Sequence, residues 1–154
     1  WLIASFVVNG TLCLVLPGAT LVADSLKLGR PQPLLERYIG RAEMTRTILA
    51  AAQAEGVGTV VATDRDVLAD LFYTGRDAPV AVYALPPQGR APHHYALKFP
   101  YPGGTGPVLF VARDDDPVPC PDIALPAGRI APETGAYRRF PQALYVVPGS
   151  CFDT

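Results

Sequence analysis

The sequence predicts an α/β protein: an N-terminal transmembrane helix, then a small three-to-five-stranded, partly parallel sheet with flanking helices and Pro-rich loops. Three observations predict it. Residues 1–23 contain no Asp, Glu, Lys, Arg or His. A β-branched run, a helical pattern and a second β-branched run follow one another between Gly58 and Tyr83, the order of a βαβ unit. The 17 Pro and 14 Gly of the 154 residues demand many turns, which argues against a helical bundle. Charged residues make up 18% of the chain, against roughly 25% in an average soluble domain, and the deficit is concentrated at the start. A net charge of −1 excludes a polybasic nucleic-acid arm.

The opening run, Trp1 to Ala23, is about 34 Å long as a helix, enough to cross a hydrocarbon layer of roughly 30 Å. Ser5, Asn9, Thr11, Pro17 and Gly18 are tolerated in such helices, and Trp1 sits where an interfacial anchor belongs. A signal peptide is disfavoured, because no positive n-region precedes the run. The competing soluble reading is a β-hairpin turning at Asn9-Gly10. Its flanks, Phe6-Val7-Val8 and Leu12-Cys13-Leu14, do not alternate as half-buried strands do. Residues 1–23 are therefore expected to span a membrane. The chain begins inside this run and is expected to be the tail end of a longer protein.

Residues 24–33 read as a linker, with Pro31 and Pro33 blocking helix continuation. The soluble domain is expected over 34–154. From Leu34 to Glu55 apolar residues recur at helical spacing, including Leu35, Tyr38, Ala42, Leu49 and Ala52, and Gly56 is a natural stop. Gly58 to Ala62 predicts a buried strand. Thr63 or Asp64 is placed to cap the next helix, Thr63 with Asp66 having the spacing of a capping box. Val67, Leu68, Leu71 and Phe72 are that helix's apolar face, and Gly75 ends it. Pro79 to Tyr83 predicts a parallel partner strand with a right-handed crossover. A long Pro-dense connection carries His93-His94-Tyr95. Val108 to Ala112 is a third strand, Ile123–Leu125 a short edge strand, and Ala143 to Val147 the last.

The chemistry-bearing patterns are sparse. The turn after the first strand, Ala62-Thr63-Asp64-Arg65-Asp66, lacks the glycines that cradle phosphate. Its two acids also occupy the positive end of a helix, so nucleotide binding is disfavoured. His93 and His94 are adjacent, diverge on an extended chain and have no Cys or carboxylate at metal-ligand spacing, so no metal and no cofactor are expected. Asp114-Asp115-Asp116-Pro117 lacks the pattern of a calcium loop. No nucleophile elbow is present. Cys13 lies in the apolar run. Cys120 and Cys151 are candidates for a disulfide in an oxidising compartment.

The order of these features is distinctive. A membrane helix leads through a Pro-containing linker to Tyr38-Ile39-Gly40-Arg41. Next come the run Val60 to Asp77, with Thr63-Asp64-Arg65-Asp66 and Tyr73-Thr74-Gly75-Arg76-Asp77, and then Gly89-Arg90-Ala91-Pro92-His93-His94-Tyr95. This series resembles the C-terminal end of bacterial membrane glycosyltransferases of family 39, the protein mannosyltransferase and aminoarabinose transferase relatives. The resemblance implies an enzyme of the inner (cytoplasmic) membrane that moves a sugar from a polyprenyl-phosphate donor to a periplasmic acceptor. Its acidic catalytic motif lies near the N-terminus of the family's proteins, so no residue here inherits it.

On this reading the chain is a non-catalytic piece, the last transmembrane helix plus a periplasmic domain. Its partners are membrane lipid, the polyprenyl-phosphate-linked sugar and the remaining transmembrane helices of the same protein, with no nucleic acid. Lys27, Arg30, Arg37 and Arg41 pull the other way, since cations flank the cytoplasmic side of a span. Arg65, Arg76, His93, His94 and Tyr95 are the residues expected to touch acceptor or core enzyme. Arg65 opens a helix at a strand's carboxyl end, and the His-His-Tyr segment is a long polar loop. Pairing of Arg65 and Arg76 with Asp66, Asp70 or Asp77 is the structural alternative. The rival function is a membrane-anchored binding or scaffolding module without enzymatic activity.

Overall fold

In the computed structural model residues 1–23, 25, 27, 29, 33 and 35–152 are described. The opening run is one continuous helix, α1 (Leu2–Leu21), with no buried residue. The hairpin alternative is thereby excluded. Asn9 and Gly10 lie mid-helix, and the Asn9 amide donates to the Ser5 carbonyl oxygen at 2.9 Å. Of the linker expected over 24–33, residues 24, 26, 28 and 30–32 lie outside the described residues, as does residue 34.

The helix expected from Leu34 to Glu55 is broken at its start. A single 3-10 turn, Glu36–Tyr38, comes first, and α2 runs only over Arg41–Ala54. Gly40 separates them in the left-handed region at φ 79°, so Tyr38-Ile39-Gly40-Arg41 is a corner rather than one helix. The core strand β1 (Thr59–Ala62), helix α3 (Arg65–Thr74) and strand β2 (Ala81–Ala84) follow as the βαβ pattern predicts. The Pro-rich connection contains a helix the sequence did not announce, α4 (His94–Lys98). Strand β3 (Pro107–Arg113) comes next, then β4 (Leu125–Ile130) and β5 (Gln142–Pro148). Ile123 belongs to the turn before β4, so the short edge strand expected at Ile123–Leu125 lies further along the chain.

The sheet order is β2-β1-β3-β5-β4. The first three strands are parallel and the last two pairings antiparallel. Val60 and Ala62 of β1, Leu109 and Val111 of β3 and Leu144 of β5 face one core. Met44, Ile48 and Ala52 of α2 and Val67, Leu68 and Leu71 of α3 cover that face. Val61, Val108, Phe110, Ala112 and Val147 face the other way, under Phe152, Tyr101 and Val118. The side-chain alternation of the strands thus feeds two cores, which is why β1 reads as an unbroken apolar run. Edge strand β4 is mostly exposed and protects itself with Pro126 and an irregularity between Pro126 and Gly128. Cys120 and Cys151 are joined by a disulfide, with Cα atoms 5.8 Å apart. This bond ties the turn after β3 to the 3-10 turn Gly149–Phe152 after β5.

Candidate functional site

Strand order reverses at β1, with β2 on one flank and β3 on the other. In open parallel sheets such a point leaves a crevice at the carboxyl ends of the strands, where helices leave in different directions. A cleft of about 610 Å³ opens at that edge. Thr63 lines it from the end of β1, Leu85, Pro86 and Pro87 from the end of β2, and Pro117, Val118 and Pro119 from the turn beyond β3. Gln88, Arg90 and His93 come from the β2–α4 connection, and Phe152 from the C-terminal turn. The disulfide forms part of the wall through Cys151. Its five prolines do not collapse easily into the space they border, because their φ angles are fixed.

Polar contacts tie together the strand ends beside the cleft, where Thr63 is one of the lining residues. Thr63 Oγ1 donates to Asp116 at 2.7 Å, which also accepts from the Arg113 backbone N–H at 3.2 Å. Asp64 caps α3, accepting from the backbone N–H groups of Asp66 at 2.7 Å and Val67 at 3.3 Å. Thr63 therefore does not form the predicted capping box with Asp66. Its hydroxyl is engaged across the crevice, and Asp64 takes the cap. The Arg113 guanidinium pairs with Asp64, with Nε at 2.9 Å. That hydrogen bond, outweighing partial burial, raises the Arg113 pKa above its ordinary value. The Asp114-Asp115-Asp116 turn is thus a bracket for β1 and β3 rather than only a solvated turn.

Among the five sequence candidates, only His93 lines the cleft. Its Nδ1 accepts from the Ala96 backbone N–H at 3.1 Å, capping α4, and its Nε2 lies 3.3 Å from the Thr63 carbonyl oxygen. An N–H can only donate and a carbonyl can only accept, so the ring carries its proton on Nε2. Both nitrogens are occupied, and neither is left for a metal or for proton abstraction. His94 is exposed and lies against Tyr95, ring centroids 3.9 Å apart. Tyr95 stacks on Phe72 at 5.3 Å and anchors α4 to α3. Arg65 opens α3 with its side chain exposed and is not among the residues lining the cleft, while Arg76 lies at the far end of α3 beside Asp77, at 3.3 Å. The structure therefore does not bring the five together. Gln88 and Arg90, the latter named above only within the Gly89–Tyr95 series and neither as a site residue, have no side-chain hydrogen bond or ion pair to any described residue. The signal for them was the density of proline around two polar residues.

Among the described residues no group of three His, Cys, Asp or Glu side chains is arranged to hold a metal ion. The most buried polar constellation lies elsewhere. Asp70 accepts from Arg41 Nε at 2.8 Å and from the Tyr137 hydroxyl. Burial, then the bond to Asp70, drives the Tyr137 pKa far above its ordinary value of 10.0. For Arg41, burial acts to lower the pKa, but the bond to Asp70 and its charge override it and the net shift is upward. This triad joins α2, α3 and the β4–β5 connection, and it does not border the cleft.

No family model matches the chain, and no solved structure matches it. A curated protein of Rhizobium johnstonii, the lipid A galacturonosyltransferase RgtD, is 35% identical to it over 152 residues. The matched region is 96% of this chain and 31% of that protein. The chain is therefore similar over nearly its whole length to a glycosyltransferase, and it spans about a third of that relative's length.

Proposed function

We propose that this chain is a C-terminal, non-catalytic portion of a membrane glycosyltransferase of the family 39 type. In this reading α1 is a membrane span and residues 35–152 fold on the periplasmic side of the inner membrane. The whole enzyme takes its sugar from a polyprenyl-phosphate donor and passes it to a lipid A-like acceptor. The single observation carrying the reading is the 35% identity to the galacturonosyltransferase across 96% of the chain. Two features support it. α1 is long and apolar enough to cross a bilayer, with none of its residues buried. The cleft presents the polar side chains of Gln88 and Arg90, as suits a surface that binds.

Within the domain, Arg90 and Gln88 are the residues we assign to contact with the acceptor or the rest of the enzyme, together with Arg65 at the start of α3. His93 orients Thr63 and the start of α4, and His94, Tyr95 and Arg76 serve packing and surface. The test uses the whole gene product in membranes, assayed for sugar transfer to lipid A. Transfer by the whole enzyme, none by residues 1–154 alone, and a raised acceptor KM in Arg90→Ala are expected. Transfer by the 154-residue chain alone, or an inactive whole protein, overturns the proposal.

A further inference from the structure

Two Arg-aromatic dipeptides, about a hundred residues apart in sequence, meet at one corner of the domain. Arg37-Tyr38 belongs to the turn by which the chain joins the domain after α1, and Arg139-Phe140 to the β4–β5 connection. The two segments are fastened together. The Ala136 backbone N–H donates to the Ile39 carbonyl at 3.0 Å, and Arg138 Nε pairs with Glu36 at 3.2 Å. Gly135, at φ +89°, lets the backbones approach so closely that a Cβ there would lie 2.6 Å from Ile39 O. The rings nevertheless stay exposed, Tyr38 at 61% and Phe140 at 45%. Each carries a guanidinium over its face, Arg37 at 5.1 Å and Arg113 at 4.5 Å from the ring centroid.

We infer that this corner is the bilayer-facing surface of the domain, resting on anionic lipid headgroups. Aromatic rings with adjacent cations are the side chains that suit the headgroup layer, where one part of a side chain meets apolar matter and the other meets water and phosphate. Arg37 and Arg139 have no carboxylate partner among the described residues, Arg138 is paired with Glu36, and Glu133 is the remaining acid of the connection. In the sequence, Lys27 and Arg30 outnumber Asp24 in the segment that precedes the corner. The carboxyl edge of the sheet lies on this side, because Gln142 at the start of β5 pairs with Arg113 at the end of β3. The cleft then opens toward the membrane surface. The inference rests on α1 spanning a bilayer, as proposed above.

The full chain in lipid nanodiscs tests it. Cys13 protected from an impermeant maleimide reports that α1 is inserted; a reactive Cys13 overturns both the spanning reading and this inference. In a Cys13→Ser background, nitroxides are placed by Thr134→Cys in the β4–β5 connection and by Glu55→Cys at the other end of α2, about 20 Å along that helix. Relaxation by a gadolinium-chelate lipid is expected to be stronger at 134 than at 55 in discs containing phosphatidylglycerol. Loss of that difference is expected in pure phosphatidylcholine discs and in the Arg37→Gln, Arg139→Gln double variant. Equal relaxation at both sites, stronger relaxation at 55, or a difference indifferent to lipid charge and to both substitutions overturns the inference while α1 remains inserted.

Discussion

Asp70 is held by donors from two other elements, and Tyr137 shows how a single buried hydroxyl connects stability to pH. Its O–H donates to Asp70 deep in the α2–α3 face, where Asp70 also takes Arg41. Tyr137→Phe removes one donor and leaves the carboxylate with its ion pair, so a loss of about 1–2 kcal/mol is expected at pH 8 in urea unfolding of the full chain in detergent. The folded pKa lies above the unfolded value of 10.0, so the contribution is complete below that pH. It is lost as pH rises and the unfolded chain, but not the folded one, ionises this phenol. The stability gap between the protein and Tyr137→Phe should therefore narrow above pH 10. A gap that stays constant to pH 11 would show that the hydroxyl is not the buried donor described. Such a triad was not legible in the sequence, because its members are 29 and 67 residues apart and each taken alone reads as an ordinary surface or core position. Asp64 was legible, since capping is local: an acid followed within three residues by the backbone it serves.

Elements set by local pattern emerged where expected, and those set by distant contacts did not. The β1–α3–β2 unit follows from a β-branched run, an amphipathic stretch and a terminal glycine, all read within a few residues. The first turn of α2 failed because Gly40 permits a left-handed corner, and the Ile39–Ala136 bond, from the far end of the chain, selects it. Helix α4 was hidden by the prolines around it; its cap is a histidine and its anchor is the stack of Tyr95 on Phe72. The candidate site was legible only as a region, because a cleft is a property of strand order, which periodicity does not carry. The disulfide belongs to this scale. It closes a separation of 31 residues around the β4–β5 hairpin, for which the chain-entropy model gives about 3–4 kcal/mol. The double variant Cys120→Ser, Cys151→Ser is expected to lower the denaturant midpoint accordingly and to steepen the slope, because the unbridged denatured chain is less compact. An unchanged midpoint would mean that the bond constrains nothing the fold does not already hold.

For the molecule as a whole, the exposed apolar surface of α1 decides where the protein can exist. Twenty residues at about 1.5 Å each give roughly 30 Å, matching a hydrocarbon layer. Its polar side chains are already satisfied within the helix: Asn9 bonds Ser5, Thr11 donates to the Val7 carbonyl at 2.7 Å and Thr20 to the Pro17 carbonyl at 2.6 Å. Leu12, Leu14 and Leu16 are 48%, 78% and 63% exposed, and no residue of α1 is buried. In water that surface opposes solubility, whereas in lipid it is the driving force for insertion. A charge near the middle of α1 reverses the balance locally, since an Arg at the centre of a membrane helix costs about 2.5–3.5 kcal/mol on the insertion scale while a Leu favours insertion. Leu12→Arg is therefore expected to shift the chain from the alkali-resistant membrane pellet toward the soluble fraction. The unfolding midpoint of the oxidised domain should be unchanged, because no residue of α1 is buried. If Leu12→Arg stays in the pellet while Leu125→Arg on the exposed edge strand leaves it, the membrane contact would belong to the sheet, and the helix would no longer be the anchor.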